Sequence, residues 1–306
     1  MVQTDRVNNK ILIVCGPTAS GKTALAVSLA KALASEVVSA DSMYIYKGFD
    51  VGTAKPSEKE MEGVKHHMID VVESGGEFSV SDYKALARPK VDEILSKGKI
   101  PVVCGGTGFY INALLYDYSY GNAAKNEAVR AKYEKILAEY GNDRLYALLA
   151  AADPETAEKL HKNDVRRVIR ALEIYETSGK AKSQYNDGKT PRYDYVAVCY
   201  DRPREELYRR INERVDLMFL NGLKDEVQKL CGLVGRNCQA MQGIGYKETL
   251  SLLDGTATLE ETKELIKQNS RRYAKRQITF FKRLAGLQYL QAENIRADTQ
   301  KVLSLL

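Results

Sequence analysis

No run in this chain approaches the roughly 20 consecutive apolar residues that a bilayer-spanning helix requires, so a membrane protein is not expected. The opening segment, Met1 to Lys10, is polar and lacks the apolar stretch of a secretion signal, which points to a cytoplasmic protein. Cysteines number five and none forms a CxxC pair. Cys15, Cys104 and Cys199 fall in apolar, strand-like runs where small thiols are commonly buried, while Cys231 and Cys238 are too isolated for a zinc site. A disulfide framework is therefore not expected. Adjacent histidines such as His66 and His67 point to opposite faces of a strand, and no carboxylate or cysteine cluster supports them as metal ligands. Internal repeats and low-complexity tracts are also missing. The excess of base over acid is small: 46 Lys+Arg against 40 Asp+Glu leaves +6, too little to establish nucleic-acid binding. Its distribution says more, because Lys267 to Arg283 carries seven basic residues and no acid in a stretch with a helical pattern.

What is present begins with Gly16-Pro17-Thr18-Ala19-Ser20-Gly21-Lys22-Thr23. This octapeptide follows the apolar run Ile11 to Cys15 and precedes a helical pattern from Ala24 to Leu33, which is the context of a phosphate-binding P-loop. Gly16 and Gly21 let the backbone curl so that successive amides face one anion, and the helix start adds its positive dipole end. Lys22 can lie along the phosphates as a point charge, and the Thr23 hydroxyl can ligate Mg²⁺. A chance glycine loop is the bland alternative, and the full pattern in its strand–helix setting argues against it. A di- or triphosphate ligand is expected.

Strand and helix signals alternate through the first third. Glu36 to Ala40 reads as a short strand ending at Asp41, followed by a polar loop from Lys47 to Met61 and the apolar run Met68 to Val72. A helix is expected from Ser79 to Lys97, with Ser79 or Ser81 as its cap, and another buried strand at Ile100 to Cys104 runs into Gly105-Gly106-Thr107-Gly108. Such strands imply a parallel sheet whose ligand groups gather at the carboxyl ends, so Thr23, Asp41 and Thr107 can share one crevice. Between Asp117 and Gly188 strand signals stop, and helices are expected near Glu127–Tyr140, Asp143–Ala152 and Asp164–Ser178. The sheet resumes at Tyr195 to Cys199, followed by a long helix from Pro203 to about Leu230 and helices at Tyr246–Leu253 and Leu259–Leu284. The expected fold is a P-loop NTPase-like α/β core in two parts, residues 1–116 and 190–306 with its C-terminal helices, carrying an all-helical insertion at 117–189. With 44% hydrophobic residues in 306, a single domain with an insertion fits.

Several further groups could carry chemistry. Asp41, at a strand end, can hold Mg²⁺, orient a ribose or accept a proton, although a turn-capping aspartate would look the same. Asp70 follows an apolar run, a weak sign of a Mg²⁺-linked aspartate. The glycine tetrad at 105–108 suits either close approach to a ligand or a tight strand–helix turn. Arg209, Arg210 and Arg214 resemble a solvated helix face, but Arg214 adjoins Val215, Met218 and Leu220 on the packed side. Arg166, Arg167 and Arg170 share a helix face opposite Val165, Ile169 and Leu172, and Arg272, Arg276 and Arg283 form a second stripe opposite Tyr273, Phe280, Phe281 and Leu284. Two basic stripes on a phosphate-binding protein suggest a polyanionic partner, and solvated faces remain an equal reading of each stripe alone.

Taken together, these motifs closely resemble one family. The residues are GPTASGKT at 16–23, Asp41-Ser42-Met43 with Tyr46-Lys47-Gly48, Asp50 to Pro56, Gly105 to Ile111, Arg170 to Glu173, Gly243 to Lys247, and Lys275 to Thr279. From about residue 11 to 285 the chain resembles the tRNA dimethylallyltransferases, and with no Cys/His finger after residue 285 it is similar to the compact bacterial form. The resemblance implies transfer of a dimethylallyl group from dimethylallyl diphosphate to the exocyclic amine of the tRNA adenine 3′ of the anticodon. It implies that Gly16 to Thr23 holds the diphosphate, with Mg²⁺ near Thr23. Asp41 would take a hydrogen bond or proton from the amine, with Thr107 and Arg214 as the other catalytic residues and Arg214 neutralising pyrophosphate. Positions expected to touch tRNA are Asp41, Ser42, Met43, Tyr44, Thr107, Arg130, Arg166, Arg167, Val168, Ile169, Arg170, Gln242, Gly243, Ile244, Gly245, Tyr246 and Lys247. Tyr44 stands where many relatives carry Gln and could stack on a base. The protein is expected to be a monomer. An adenylate isopentenyltransferase, a small-molecule P-loop kinase and an RNA-binding protein without chemistry are the alternatives.

Overall fold

A computed structural model describes residues 9–118, 126–185, 188, 190–292 and 294–306. The polar opening up to Asn8 and residues 119–125, 186, 187 and 189, which belong to the stretch read as the helical insertion, lie outside the described residues. The chain forms two compact units, one from the segments up to Leu115 and from Arg192 onward, the other from Tyr116–Pro191.

The first unit is built on one parallel sheet. Its strands are β1 (Lys10–Cys15), β2 (Val37–Ser39), β3 (His66–His67), β4 (Val102–Gly105), β5 (Asp194–Tyr200) and β6 (Leu287–Leu290), in the spatial order β3-β2-β4-β1-β5-β6. Every ladder between neighbours is parallel. Helices cover both faces, which is why β1 reads as an unbroken apolar run rather than an alternating one: Ile11 to Cys15 are all buried. β1 lies between β4 and β5, so the P-loop at its end and the loops after β2 and β4 open on the same edge of the sheet.

In this unit the first helices are α1 (Lys22–Ala32), the single turn α2 (Glu58–Met61) inside the expected polar loop, α3 (Val80–Ser96) and α4 (Gly108–Leu115). Ser79 rather than Ser81 caps α3. Its hydroxyl accepts from the Asp82 amide at 3.2 Å while Asp82 Oδ2 accepts from the Ser79 amide at 2.8 Å, a reciprocal cap worth about 1 kcal/mol. The helical unit comprises α5 (Glu127–Ala152), broken at Gly141 where φ is 76°, then α6 (Pro154–Glu158) and α7 (Val165–Ser178). Val129, Tyr133, Leu145, Leu149, Val168 and Leu172 form its core. Back in the first unit follow α8 (Arg204–Leu220), α9 (Leu223–Val234), α10 (Tyr246–Leu253), α11 (Leu259–Phe281) and α12 (Ile295–Leu303).

Two expectations about elements need correction. The long helix from Pro203 breaks after Leu220, because Gly222 turns left-handed (φ 92°) and starts α9 in a new direction. Leu220, read as packed, is 80% exposed at that break. The apolar run Met68 to Val72 lies beyond the end of β3, with Met68 and Asp70 at positive φ of 64° and 54° and a single parallel bridge from Val72 to Tyr46.

Candidate active site

β1 delivers the P-loop. Gly16, Ala19 and Gly21 have φ of 140°, 60° and 97°, so the chain curls at three of its six positions before α1 begins at Lys22. Gly21 immediately precedes the helix, and a side chain there would be strained whatever the space. Lys22 is buried, with Nζ 3.4 Å from the Pro17 carbonyl. Burial holds its pKa below the ordinary 10.5; nearby Arg214 pushes the same way, and Asp41 opposes.

Residues far along the chain hold this loop from outside. Gln277, buried on α11, accepts from the Thr18 amide at 3.0 Å and donates to the Gly106 carbonyl at 2.8 Å. One amide expected to face the anion is therefore engaged by a side chain. Arg202 Nε donates to the Ser20 carbonyl at 2.7 Å and Arg210 Nε to the Ala19 carbonyl at 2.9 Å. Arg209, by contrast, faces solvent between Glu206 and Glu213.

Asp41 does two things at once. Its Oδ1 accepts from the Met43 amide at 3.0 Å, the turn-capping role, and its carboxylate also lines the central cavity. Thr107 stands behind it: the Thr107 hydroxyl accepts from the Ser42 amide at 3.0 Å and lies 3.2 Å from the Ser42 hydroxyl, but Thr107 does not line the cavity. The glycine tetrad serves chain-to-chain packing. A Cβ on Gly105 would sit 2.1 Å from the Ala40 carbonyl oxygen, so the loop carrying Asp41 can press against β4 only if that residue is glycine.

Arg214 completes the constellation. One of its Nη atoms donates to the Thr53 carbonyl at 2.6 Å, while its Nε is buried without a hydrogen-bond partner. An orphaned, buried cationic donor is what an anion site looks like before the anion arrives. The cavity of about 360 Å³ brings together Thr18, Lys22, Asp41, Ser42, Met43, Tyr44, Arg214, Gln242, Gly243, Ile244 and Lys247 from the sequence reading. Gly16, Pro17, Ala19, Ser20, Gly21, Thr23, Gly245 and Tyr246 are not on its wall. Tyr44 is buried and donates to the Ala54 carbonyl at 3.0 Å, so its ring belongs to the wall instead of standing free to stack on a base. Tyr246 is fully buried, its hydroxyl 2.6 Å from Glu226 Oε1. Asp70 is engaged with Lys55 at 2.5 Å, and His67 with Glu36 at 2.6 Å.

Sequence reasoning missed an apolar wall and five polar members, among them Thr53, Ser270 and Gln277. Ile211, Val215 and Met218 on α8 and Ile266 on α11 line the cavity, as do Tyr273 and Arg276. The i, i+4, i+7 spacing of the α8 residues was the available signal, but it marks a core face equally well.

In the helical unit, Arg130 and Arg170 converge on one buried carboxylate. Glu173 accepts from Arg130 Nε at 2.9 Å, from Arg170 Nη1 at 2.7 Å and from the Asn126 amide at 2.7 Å. Burial opposes its ionisation, but these hydrogen bonds outweigh that and hold its pKa below the ordinary 4.5. Arg166 and Arg167 are exposed on α7, with Arg167 paired to Asp164. Val168 and Ile169 point into the core of that unit, so their side chains present nothing to a ligand.

Known proteins match this chain over most of its length. It is 49% identical to a tRNA dimethylallyltransferase of Bacillus subtilis over 274 residues, 89% of this chain and 87% of the relative. With that of Acetivibrio thermocellus it shares 45% over 301 residues, 97% and 96% of the two chains. Residues 44–284 match the family described as IPP transferase. The chain belongs to the IPP transferase family. Solved structures agree with that membership. A full-length tRNA isopentenylpyrophosphate transferase from Bacillus halodurans superposes with a TM-score of 0.74 at 41% identity, covering 97% of this chain and 95% of that one. A eukaryotic dimethylallyltransferase described as acting on tRNA gives 0.78 at 30% identity, covering 92% and 74%. The IPP transferase match spans the Asp41-flanking wall from Tyr44, Arg214, the Gly243–Lys247 segment and Gln277, which are the parts that close the cavity.

Proposed function

We propose that this protein transfers the dimethylallyl group of dimethylallyl diphosphate to the exocyclic amine of the tRNA adenine 3′ of the anticodon, releasing pyrophosphate. One observation carries the reading: a single cavity holds cations at Lys22 and Arg214, a carboxylate at Asp41 and an apolar wall at Ile211, Val215, Met218 and Ile266. A prenyl diphosphate has the matching two ends.

Aryl amines are poor nucleophiles because the lone pair is delocalised into the ring. Holding the amine against the allylic carbon, with a carboxylate on its N–H, converts encounter into near-attack geometry. The carbon–nitrogen bond forms, the allylic carbon–oxygen bond breaks with its electron pair leaving on pyrophosphate, and the amine proton passes to Asp41. Charge grows on the leaving group, where Lys22 and the unsatisfied Arg214 stabilise it. The adenine leaves its stack to reach this carbon, at a cost of a few kcal/mol that basic contacts with the RNA offset.

Mg²⁺ suits the donor chemistry. No cluster of three or more His, Cys, Asp or Glu able to hold a metal occurs among the described residues. Mg²⁺ bound to a diphosphate keeps several waters and needs few protein oxygens; the one proposed is the Thr23 hydroxyl, at the start of α1 and off the cavity wall. When bound, the ion would neutralise diphosphate charge. No described helix is long and apolar enough to cross a membrane. A cytoplasmic monomer is part of the same proposal. Mass spectrometry of tRNA nucleosides after incubation with dimethylallyl diphosphate tests the reading. The expected product is a prenylated adenosine next to the anticodon; labelling of free AMP with none in the stem-loop would overturn it.

A further inference from the structure

We infer that Glu226, on α9, is a positioning residue for Arg214, acting through the backbone of Asp50 to Thr53. Its carboxylate accepts four hydrogen bonds: from the amides of Asp50 at 3.1 Å, Val51 at 2.7 Å and Gly52 at 3.1 Å, and from the Tyr246 hydroxyl at 2.6 Å. Three consecutive amides on one carboxylate fix the orientation of this loop. The carbonyl of the next residue, Thr53, accepts from the Arg214 guanidinium at 2.6 Å. Arg214 Nε has no partner, and besides the Tyr44 hydroxyl beside it the Thr53 carbonyl is the acceptor that aims the guanidinium. The same carboxylate secures Tyr246, whose neighbours Gly243, Ile244 and Lys247 lie on the cavity wall together with Gly52 and Thr53.

Only an acceptor with no protons of its own fits four converging donors. Glutamine would turn an NH₂ group toward amides that also donate, and the loop would have to rotate away. The inference rests on the reading of Arg214 as the cation that receives pyrophosphate.

A double-mutant cycle separates the two ideas. Prenyl transfer to an anticodon stem-loop is measured for wild type, Glu226→Gln, Arg214→Ala and the double variant, with thermal melting of each. Misplacing a group by about 1 Å costs on the order of 100-fold, so Glu226→Gln should lower kcat about 10- to 100-fold with the RNA KM within about threefold. In the Arg214→Ala background the same change should cost less than about twofold, because the residue it aims is gone. Equal losses in both backgrounds would mean that Glu226 is merely structural and would overturn the proposal. Should Glu226→Gln fail to fold, Tyr246→Phe removes one donor of the four; a several-fold loss that vanishes beside Arg214→Ala supports the proposal, and an equal loss in both refutes it. Full activity in Arg214→Ala would overturn the reading of Arg214 itself. An impaired Arg214→Ala beside a fully active Glu226→Gln overturns the positioning role alone.

Discussion

The α/β unit and the helical unit treat buried charge in opposite ways. In the helical unit Glu173 spends both oxygens, on Arg130, Arg170 and the Asn126 amide, and its cations are satisfied. In the α/β cavity, Lys22 and Arg214 have no carboxylate partner within ion-pair distance among the described residues, and Asp41 commits one oxygen to the Met43 amide. Closed charges fix a fold; open charges wait for a ligand. Both arrangements combine cationic side chains and a carboxylate, and the hydrogen-bond accounting separates them.

Breaking the open set should cost activity, and breaking the closed set should cost stability. Asp41→Ala should show the largest effect, a loss of turnover of about 10²- to 10⁴-fold with RNA affinity within a few-fold, read by single-turnover transfer and filter binding. Unchanged turnover would remove Asp41 from the mechanism. Lys22→Met should lower turnover by roughly 100-fold while leaving or raising the melting temperature, since an unpaired buried cation opposes folding. Glu173→Gln should do the converse. Its two arginine side chains are 32% exposed, so the loss is discounted to about 2–3 kcal/mol, measurable by urea denaturation.

Titration sharpens the contrast, because the two sites respond at opposite ends of the pH scale. The Glu173 pKa lies below the ordinary 4.5, so its stabilisation is complete above that value and lost as pH falls through the folded value. The Lys22 pKa is depressed by burial below 10.5, so pyrophosphate affinity should decline at lower pH than an ordinary lysine would impose. Lys22→Arg should flatten that alkaline decline. Arg209→Ala, which removes only solvated pairs, should leave the melting temperature unchanged within error and alter activity by less than about twofold.

Local signals made the sheet and the P-loop legible. The apolar runs of β1, β4 and β5 and the glycine-bounded loop are each written within a few consecutive residues. What escaped depends on distance. The Gln277 clamp joins residues 259 apart, and nothing near Thr18 announces it. Glu226 looks like any acidic residue on an amphipathic helix until three amides 174 to 176 residues earlier are seen to converge on it. β6 spans only Leu287–Leu290, with no alternation to distinguish it from the end of α11. The glycine tetrad suits ligand approach and a tight strand–helix turn equally on sequence, and only the structure shows that the space at Gly105 is filled by the Ala40 backbone.

The clamp on Thr18 also bears on biosynthesis. Gln277 follows Thr18 by 259 residues, so the phosphate loop is translated long before the side chain that clamps it. A nascent or prematurely terminated chain lacking Gln277 would carry the whole nucleotide-loop motif yet hold it unsecured. Fixing of the Thr18 backbone is thereby deferred until α11 has been made.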